Sequence, residues 1–302
     1  MDKIGLVTVT YNSAVVIRSF LDCVCKQTYS NWILYVIDNA SVDDTLLILG
    51  NEKDSRIRVV ENTENFGVAK ANNQGIRKAI LDDCEQVLII NNDVEFEISL
   101  IEKLIKLQVE KKCSLVTPKM MYYDNPKHIW YAGSWFIKKK GYLPLHRGMN
   151  ELDDGQYNEI INVEYAPTCC LLAKKVVFHD IGLMDEKYFV YFDDTDFSYR
   201  VWKDGRHQIL FCPDIEFYHK VGSLTNSLEK EGKKVYRGNF FLQQNTKNHI
   251  YFLKKIGGLF SYTFIIWLFF KNNIKFIINP QIRKNSSTWW LINKSYFQGL
   301  MK

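Results

Sequence analysis

The sequence lacks several patterns that define common nucleotide-binding and metal-binding proteins. None of its seven cysteines belongs to a C-x2-C pair, which excludes the usual cysteine-rich zinc site. No G-x-G-x-x-G follows a strand-like segment, which disfavours a dehydrogenase. The residues after the first predicted strand also contain neither the glycines nor the basic residue of a phosphate-binding loop. A nucleotidyltransferase is therefore disfavoured, and it remains only as an alternative.

Acidic residues are scarce in the last part of the chain. From Lys220 onward there are 14 Lys and Arg but only two Glu, so this part carries a net charge of +12 and the preceding 219 residues carry −7. Because the lysines alternate with long apolar runs instead of exposed polar ones, nucleic acid is not an expected partner.

No apolar run of the sequence is long enough to span a bilayer. Residues 256–270 carry no charge, yet these 15 residues fall short of the roughly 20 needed to span a bilayer. The segment 256–290 instead predicts a helix lying at a membrane surface, with its Trp residues near headgroup level and its lysines facing anionic lipid. The alternative is a buried helix that packs on the rest of the protein.

The cysteines and the first residues predict a cytoplasmic location. The cysteines are odd in number and scattered through apolar segments, and the first strand begins at Ile4 without a charged and apolar leader. We therefore expect reduced thiols and no secretion signal, with the protein in the cytoplasm, and peripheral on the inner face of the membrane if the apolar segment binds there. The cysteines are Cys23, Cys25, Cys84, Cys113, Cys169, Cys170 and Cys212.

Strand-like and helix-like segments alternate in the first 110 residues. The predicted strands are Ile4–Thr10, Trp32–Ile37, Arg56–Val60 and Val87–Ile90. The predicted helices are one capped by Ser13, one opened by a capping box at 41–44, then Val68–Leu81 and Ile98–Val109. This order predicts an α/β fold with a mostly parallel sheet flanked by helices, and with its ligand crevice at the carboxyl ends of the strands. Antiparallel pieces are expected at 114–123 and 163–173.

Polar residues at the first predicted strand ends suit a nucleotide. Thr8, Tyr11 and Asn12 are expected on the turn after the first strand, where they can meet a base and ribose. Asp38 follows the second strand and can accept hydrogen bonds from the base or sugar. The alternative is structural: Asn12 and Ser13 cap a helix, and Asp38 makes an Asx turn.

A second group of residues suits phosphates and a cation. Gly67, with Asn65 and Asn72, lies where a strand turns into a helix, so backbone N–H groups and side-chain amides there can face phosphate or ribose. Asp93 follows the fourth strand and can hold Mg2+ or Mn2+ with substrate phosphates completing the shell. Its neighbours Asn91 and Asn92 are amides, which bind a cation more loosely than carboxylates. Each site can also be a plain turn.

The acids at 193–196 precede an apolar pattern with helical spacing, so they begin a helix whose dipole stabilises anions by about 0.3–1 kcal/mol. Asp196 and Arg200 are spaced to pair, which leaves Asp194 to act as a general base. His219 ends a further strand-like run, and its neutral imidazole can complete a cation shell or contact a diphosphate, although a lone His is more often structural.

Taken in order, these segments resemble the successive motifs of family 2 inverting glycosyltransferases, and of rhamnosyltransferase-like members most closely. The matching segments are Val-Thr-Tyr-Asn, Ile-Asp-Asn-Ala-Ser-Val-Asp-Asp, Asn-Phe-Gly-Val-Ala-Lys-Ala-Asn-Asn, Asn-Asn-Asp-Val, Tyr-Phe-Asp-Asp-Thr-Asp-Phe-Ser-Tyr-Arg and the later His219. The resemblance implies a GT-A fold over residues 1–245, with a nucleotide-sugar-binding half at 1–112 and an acceptor half at 113–245. Residues 246–302 would form a basic, aromatic, helical extension.

The resemblance also implies roles for individual residues. Asp38 would contact the nucleobase, Asp93 and His219 would hold the metal or diphosphate, Asp194 would be the base, and Asp193 would contact the acceptor or donor sugar. The implied donor is a nucleotide-diphospho-sugar, dTDP-rhamnose first and a UDP-hexose next. The implied acceptor is a saccharide, which a membrane-surface helix would suit if it is lipid-linked. A non-catalytic subunit of a polysaccharide assembly complex is the alternative from a different class.

Overall fold

The structure is a computed structural model that describes residues 2–215, 217–221, 238–278 and 286–302. Two longer stretches of the predicted regions lie outside the described residues. They are residues 222–237, within the expected acceptor half, and residues 279–285, within the expected membrane-surface segment.

The first third forms the alternating strands and helices that the sequence predicts. Its elements are β1 (Ile4–Thr10), α1 (Ile17–Cys25), β2 (Trp32–Asp38), α2 (Thr45–Gly50), β3 (Ile57–Glu61), α3 (Val68–Leu81), β4 (Gln86–Ile90), β5 (Val94–Phe96) and α4 (Leu100–Glu110). Strands β1, β2, β3 and β4 are mutually parallel. The predicted mostly parallel α/β sheet is thus confirmed for this part.

The middle of the chain adds shorter strands and two helices. They are β6 (Leu115–Pro118), β7 (Met120–Tyr122), β8 (Ile129–Tyr131), β9 (Ser134–Ile137), β10 (Leu143–His146), β11 (Ile161–Val163), β12 (Cys170–Lys174), α5 (Lys175–Ile181), α6 (Asp193–Asp204), β13 (Ile209–Cys212) and β14 (Phe217–His219). A short 3-10 turn, Lys138–Lys140, follows β9.

One large sheet joins both parts, in the order β11-β13-β6-β12-β4-β1-β2-β3. Strand β12 runs antiparallel to both β4 and β6, and Cys170 pairs with Ile90. The start of β12 therefore lies beside the end of β4, which brings the segments 91–93 and 164–169 to the same edge of the sheet. A smaller sheet, β5-β14-β7-β8, carries His219 next to Val94.

The core of the fold lies on both faces of the central strands. The side chains of β1, β2 and β4 are almost all buried, as expected for parallel strands covered by helices on both sides. Helix α3 packs closely on β1, because a Cβ atom at Gly75 would lie only 2.3 Å from Cγ1 of Val7. This packing fixes where the polar ends of the strands emerge.

Two predicted helix caps are wrong. Helix α1 begins at Ile17 and its N-cap residue is Val16, whereas the Ser13 hydroxyl accepts a hydrogen bond from the Tyr11 N–H. Helix α2 begins after Asp44 without a side-chain cap, and Ser41 bonds Asp38 instead. Both serines connect loops at the ends of β1 and β2, and that use competes with capping.

The end of the chain is helical: α7 (Asn239–Ile256), α8 (Gly258–Ile278) and α9 (Ser286–Met301). Helix α7 crosses the boundary expected at residue 245. Tyr296 of α9 donates a hydrogen bond to the carbonyl oxygen of Ile265 in α8, and Gly299 of α9 approaches Lys247 of α7. Within the described residues, no helix is long and apolar enough to cross a membrane.

Candidate active site

Asp38 lies at the end of β2 with both carboxylate oxygens bonded to neighbouring loops. Oδ1 accepts hydrogen bonds from the hydroxyls of Thr10 (2.8 Å) and Ser41 (2.6 Å), and Oδ2 accepts one from the Ser41 N–H (2.8 Å). The side chain is fully buried. The Asx-turn alternative describes this geometry, and contact of Asp38 with a nucleobase stays a prediction.

The residues at the end of β1 have different surroundings. Thr8 lies inside β1, not on the turn after it as expected, and its buried hydroxyl has no hydrogen-bond partner among the described residues. Asn12 adopts a left-handed φ of 52° and its Oδ1 accepts a hydrogen bond from the Val42 N–H, so it ties the β1 loop to the β2 loop. The Tyr11 side chain is 47% exposed at this edge, where its ring is open to a stacking partner.

The start of α3 is held against a later segment. Gly67 has φ of +83°, its N–H donates to Oδ1 of Asn65, and the N–H of Val68 donates to the carbonyl oxygen of Phe189. A Cβ atom at Gly67 would lie 2.3 Å from that oxygen. These two N–H groups are therefore bonded within the protein, although both were expected among those available to phosphate. Asn72 is buried on the same helix.

The end of β4 is fixed to both of its neighbours. The Asn92 side chain donates a 2.6 Å hydrogen bond to the carbonyl oxygen of Val9, and the Asn91 N–H donates to the carbonyl oxygen of Cys169. Oδ1 of Asn92 is buried without a hydrogen-bond partner in the described part of the chain. The 91–93 turn is thus anchored between β1 and β12.

Asp93 and His219 come together although 126 residues separate them in the sequence. Nε2 of His219 lies 3.5 Å from Oδ1 of Asp93, and the Lys220 N–H donates to the Asp93 carbonyl oxygen. The pairing of β14 with β5 produces this contact. The ring of Trp130 lies edge-on at 4.5 Å from the imidazole and restrains it.

This pair fits a divalent cation that also binds phosphate. One carboxylate and one imidazole are accepted ligands for Mn2+, and Mg2+ commonly takes one or two protein carboxylates while phosphates and water complete its shell. No cluster of three or more His, Cys, Asp or Glu suited to a metal occurs among the described residues. A cation held by this pair would therefore have two protein ligands, and a nucleoside diphosphate and water would complete its shell.

The carboxylates of α6 follow two strained residues. Tyr191 and Phe192 have φ values of 65° and 71°, a left-handed conformation that costs such side chains about 1–3 kcal/mol each. The Asp196 N–H donates to the carbonyl oxygen of Phe192 and closes the first helical turn. This left-handed conformation reverses the chain direction just before the helix. Asp193 and Asp194 begin the helix, as the sequence predicts.

Asp194 is held by neighbours on both sides. Its Oδ2 accepts a 2.7 Å hydrogen bond from the Tyr165 hydroxyl, and its Oδ1 accepts one from the Thr195 N–H. Burial raises the pKa of Asp194, and these hydrogen bonds lower it again in part. Burial and then the charge of Asp194 raise the pKa of Asp193. A carboxylate with a raised pKa is the better proton acceptor near neutral pH.

Cys169 shows that Asp93 and Asp194 share one environment. Burial raises the pKa of the Cys169 thiol, and the charges of both Asp93 and Asp194 raise it further. Asp38 reaches the same edge through Thr10 at the end of β1, next to the Val9 carbonyl that binds Asn92. Asp38 and Asn92 thus lie at the carboxyl ends of strands of the large sheet, and His219 joins Asp93 from the smaller sheet. The expected Asp196–Arg200 ion pair is confirmed at 2.9 Å.

Three residues of this region were missed by sequence reasoning. Tyr165 donates a hydrogen bond to Asp194, the charges of Asp93 and Asp194 both raise the pKa of the Cys169 thiol, and Asn248 of α7 donates to the carbonyl oxygens of Val190 and Tyr191. None of them stands in a motif. The only available signal is a polar residue within an otherwise apolar or helical pattern, and that signal is too common to be specific.

A separate surface cavity of about 310 Å3 lies between β11, β13 and α6. Trp135, Glu164 and Trp202 line it, and it contains none of the predicted site residues.

The sheet with polar strand ends and an acid pair opening α6 defines an α/β protein of the GT-A glycosyltransferase class. The chain belongs to Glycosyl transferase family 2, whose family profile matches residues 6–182. The predicted fold and family are both confirmed.

Several similar proteins are named as sugar transferases. Low-salt glycan biosynthesis hexosyltransferase Agl10 of Haloferax volcanii is 24% identical over 68% of this chain, which spans 63% of that relative's length. The dTDP-rhamnosyl transferase RfbF of Shigella flexneri is 25% identical over 91% of this chain and 92% of its own. An Escherichia coli UDP-Glc:alpha-D-GlcNAc-diphosphoundecaprenol beta-1,3-glucosyltransferase, WfgD, is 32% identical over 33% of this chain and 41% of its own.

Solved structures share the fold. S. aureus TarS 1-349 in complex with UDP-GlcNAc superposes with a TM-score of 0.60 at 15% identity, covering 98% of this chain and 81% of that one. The mannosyltransferase PcManGT of Pyrobaculum calidifontis, in complex with GDP-Man and Mn2+, gives 0.56 at 14% identity, covering 99% and 87%.

Proposed function

We propose that this protein transfers a sugar from a nucleotide-diphospho-sugar to a hydroxyl of a saccharide, with inversion at the anomeric carbon, in the synthesis of a surface polysaccharide. The donor proposed first is dTDP-rhamnose, because the relative named for that donor matches over nearly the whole chain. A UDP-hexose is the second choice, since TarS and WfgD are described with UDP-sugars.

The observation that carries this proposal is the geometry of Asp194. Its carboxylate begins α6, is held by Tyr165 and Thr195, and has a raised pKa. In the proposed step Asp194 takes the proton of the acceptor hydroxyl, the hydroxyl oxygen bonds to the anomeric carbon, and the bond to the diphosphate oxygen breaks on the opposite face. General-base help of this kind contributes typically about 10²–10⁴-fold. Asp193 would then orient the acceptor or the donor sugar.

Asp93 and His219 would hold Mg2+ or Mn2+, and their 3.5 Å separation supports a shared ion. When bound, the cation would stabilise the negative charge that grows on the leaving diphosphate. Asn92 would orient the diphosphate or ribose through its unpartnered Oδ1. We propose that the other residues named from the sequence contact the donor. They are Thr8, Tyr11, Asn12, Asp38, Asn65, Gly67 and Asn72.

Helix α8 supports the proposal of a membrane-surface contact. An apolar stripe on its outer face is exposed at helical spacing, and Leu259 at its start is 82% exposed. The stripe consists of Leu259, Tyr262, Ile266, Phe270, Ile274 and Ile277. The opposite face packs on the protein, since Ser261 and Ile265 are buried. Helix α8 therefore combines a packed face with an apolar face that has no partner in the described residues.

Basic side chains lie beside this stripe. Lys138 lies 5.0 Å from the ring of Phe260 and Lys271 lies 4.4 Å from the ring of Trp267. An apolar stripe with a basic border matches an anionic lipid surface, which attracts each nearby lysine by about 1 kcal/mol. We therefore place the enzyme at the cytoplasmic membrane surface, where a lipid-linked saccharide would be its acceptor.

The proposed function is tested with the variant Asp194→Asn. The matched control is Asp204→Asn, at the other end of the same helix. Release of nucleoside diphosphate is measured with Mn2+ from dTDP-rhamnose, UDP-glucose and UDP-GlcNAc, and UDP and dTDP binding is measured by calorimetry. The Asp194 variant should lose at least about 10²-fold in turnover and keep its nucleotide affinity. Full turnover in that variant would overturn the base assignment. A wild-type chain that binds nucleotide but releases none from any donor would instead be a non-catalytic subunit.

A further inference from the structure

A single buried amide of helix α7 hydrogen-bonds the backbone of the strained turn that precedes the acid pair. Nδ2 of Asn248 donates hydrogen bonds of 2.9 Å to both the Val190 and the Tyr191 carbonyl oxygens. Asn248 is fully buried although it lies on a helix of the C-terminal region. One side chain therefore satisfies two successive backbone groups just before Asp193.

The two left-handed residues also pack on α7. The ring of Tyr191 lies 5.1 Å from that of Phe241, and the ring of Phe192 stacks on His249 at 5.4 Å. Phe252, one turn further along α7, also contacts Phe192. A conformation that these side chains disfavour persists only where the surroundings fix it, and here α7 supplies those surroundings.

A second polar contact holds the other side of the first turn of α6. Nζ of Lys255 lies 2.8 Å from Oδ1 of Asp196 and 2.7 Å from Oδ2 of Asp185. Asn248 and Lys255 are seven residues apart, so they face the same side of α7. Asn248 thus binds the chain before Asp193, and Lys255 binds the chain after Asp194.

We propose that Asn248 is a positioning residue for catalysis: its two hydrogen bonds fix the left-handed turn at 190–192 and thereby the direction in which Asp193 and Asp194 leave it. This inference rests on the proposed function, because it assigns Asn248 a part in presenting the base. Asn248 does not touch the reacting groups. Its effect passes through the backbone of Val190 and Tyr191.

Asn248→Asp is the sharpest variant. The carboxylate has the same shape and keeps an acceptor for the Lys302 ammonium, which lies 3.0 Å from Oδ1. It replaces the two donated hydrogen bonds with repulsion between its buried charge and the two carbonyl oxygens. Asn245→Asp is the matched control, because it makes the same change on the same helix where the amide bonds only the Phe241 carbonyl of α7 itself. Asn248→Ala serves as a second variant should the charge prevent folding.

Four quantities are compared for the full-length wild type and these variants: apparent melting temperature, UDP affinity with Mn2+, kcat and donor KM, and amide hydrogen exchange over residues 188–198. Asn248→Asp should lower kcat by about 10²-fold and speed exchange over 191–197, with donor KM and UDP affinity close to the control. Its melting temperature should fall, because two buried hydrogen bonds are lost. Unchanged kcat and exchange would overturn the proposal. A loss of UDP affinity as large as the loss of kcat would also overturn it, because that result describes a general packing residue. If the wild type releases no nucleotide from any donor, the proposed function fails, and the exchange experiment alone decides whether Asn248 fixes the turn.

Discussion

The hydroxyl of Tyr165 donates a 2.7 Å hydrogen bond to Oδ2 of Asp194, across 29 residues of sequence. Tyr165 is itself fixed, because its carbonyl oxygen accepts a 2.7 Å hydrogen bond from the hydroxyl of the fully buried Tyr131. The hydrogen bond favours the ionised carboxylate and so opposes the effect of burial on the Asp194 pKa. Tyr165 therefore helps to orient the Asp194 carboxylate and lowers its pKa.

Tyr165→Phe should move the acid limb of the pH–rate profile upward. Removing this donor leaves only the Thr195 hydrogen bonds and the local backbone to oppose burial, so the Asp194 pKa rises further, and the ionised base is lost at a higher pH as the pH falls. A hydrogen bond to a charged group contributes about 1.5–3 kcal/mol, which corresponds to about one to two pH units. The measurement is kcat/KM against pH for both proteins. An unshifted profile would mean that Asp194 is not the titrating base.

Gly67→Ala should destabilise the protein more than Gly205→Ala. Both glycines have positive φ, but a Cβ at Gly67 would meet the Phe189 backbone, whereas one at Gly205 would have nothing within 4 Å. The conformational cost alone is about 1–2 kcal/mol, and the clash should add about 1–3 kcal/mol. Urea unfolding midpoints measure the difference. Equal losses in the two variants would contradict the close contact of α3 with the segment around Phe189.

His219→Ala and Asp93→Asn should weaken Mn2+ binding in the presence of UDP by at least about tenfold. The reason is that the proposed site has only these two protein ligands, so neither loss can be compensated by a third. Electron paramagnetic resonance of free Mn2+ measures the affinity without relying on turnover. His179→Ala, at an exposed histidine, is the control. Wild-type affinity in the His219 variant would remove that residue from the metal site.

Leu259→Glu combined with Ile266→Glu should abolish binding to vesicles of phosphatidylglycerol and phosphatidylcholine. Each apolar side chain buried in lipid contributes about 1.5–3 kcal/mol, so losing two should reduce partitioning by at least about 10²-fold. Leu81→Glu, at another exposed apolar residue, is the control. Sedimentation with the vesicles at low and high salt separates the apolar and the ionic contributions to vesicle binding. Failure of the wild-type protein to sediment with these vesicles at low salt would refute the membrane proposal.

The sequence predicted the first strands closely because their signal is local. β1 has the predicted bounds, and β2 and β4 differ from the prediction by one residue, since continuous β-branched and aliphatic runs mark buried parallel strands. Helix α3 also has its predicted bounds, fixed by Gly67 before it. The predicted caps failed because the Ser13 and Ser41 hydroxyls form other hydrogen bonds. Ser13 accepts one from the Tyr11 N–H in its own loop, whereas Ser41 accepts one from the Asn12 N–H, a partner that only folding brings close.

The same reason separates the site residues that sequence could name from those it could not. Asp93, Asp194 and His219 follow strand ends or begin a helix, so their exposure to a crevice is implied by element order. Tyr165 and Asn248 act on residues that lie 29 and 57 positions away in the chain. Their hydrogen bonds depend on how the antiparallel strands and α7 pack, which local patterns do not encode.

Strand β12 lies between β4 and β6 and is hydrogen-bonded to both, so a single sheet continues across the join between the first 112 residues and those that follow. Bending one half against the other would break ladder bonds, which makes a hinge at that join costly. Donor and acceptor would therefore bind in a rigid cleft. Their alignment would be fixed when the chain folds and would not change in each turnover.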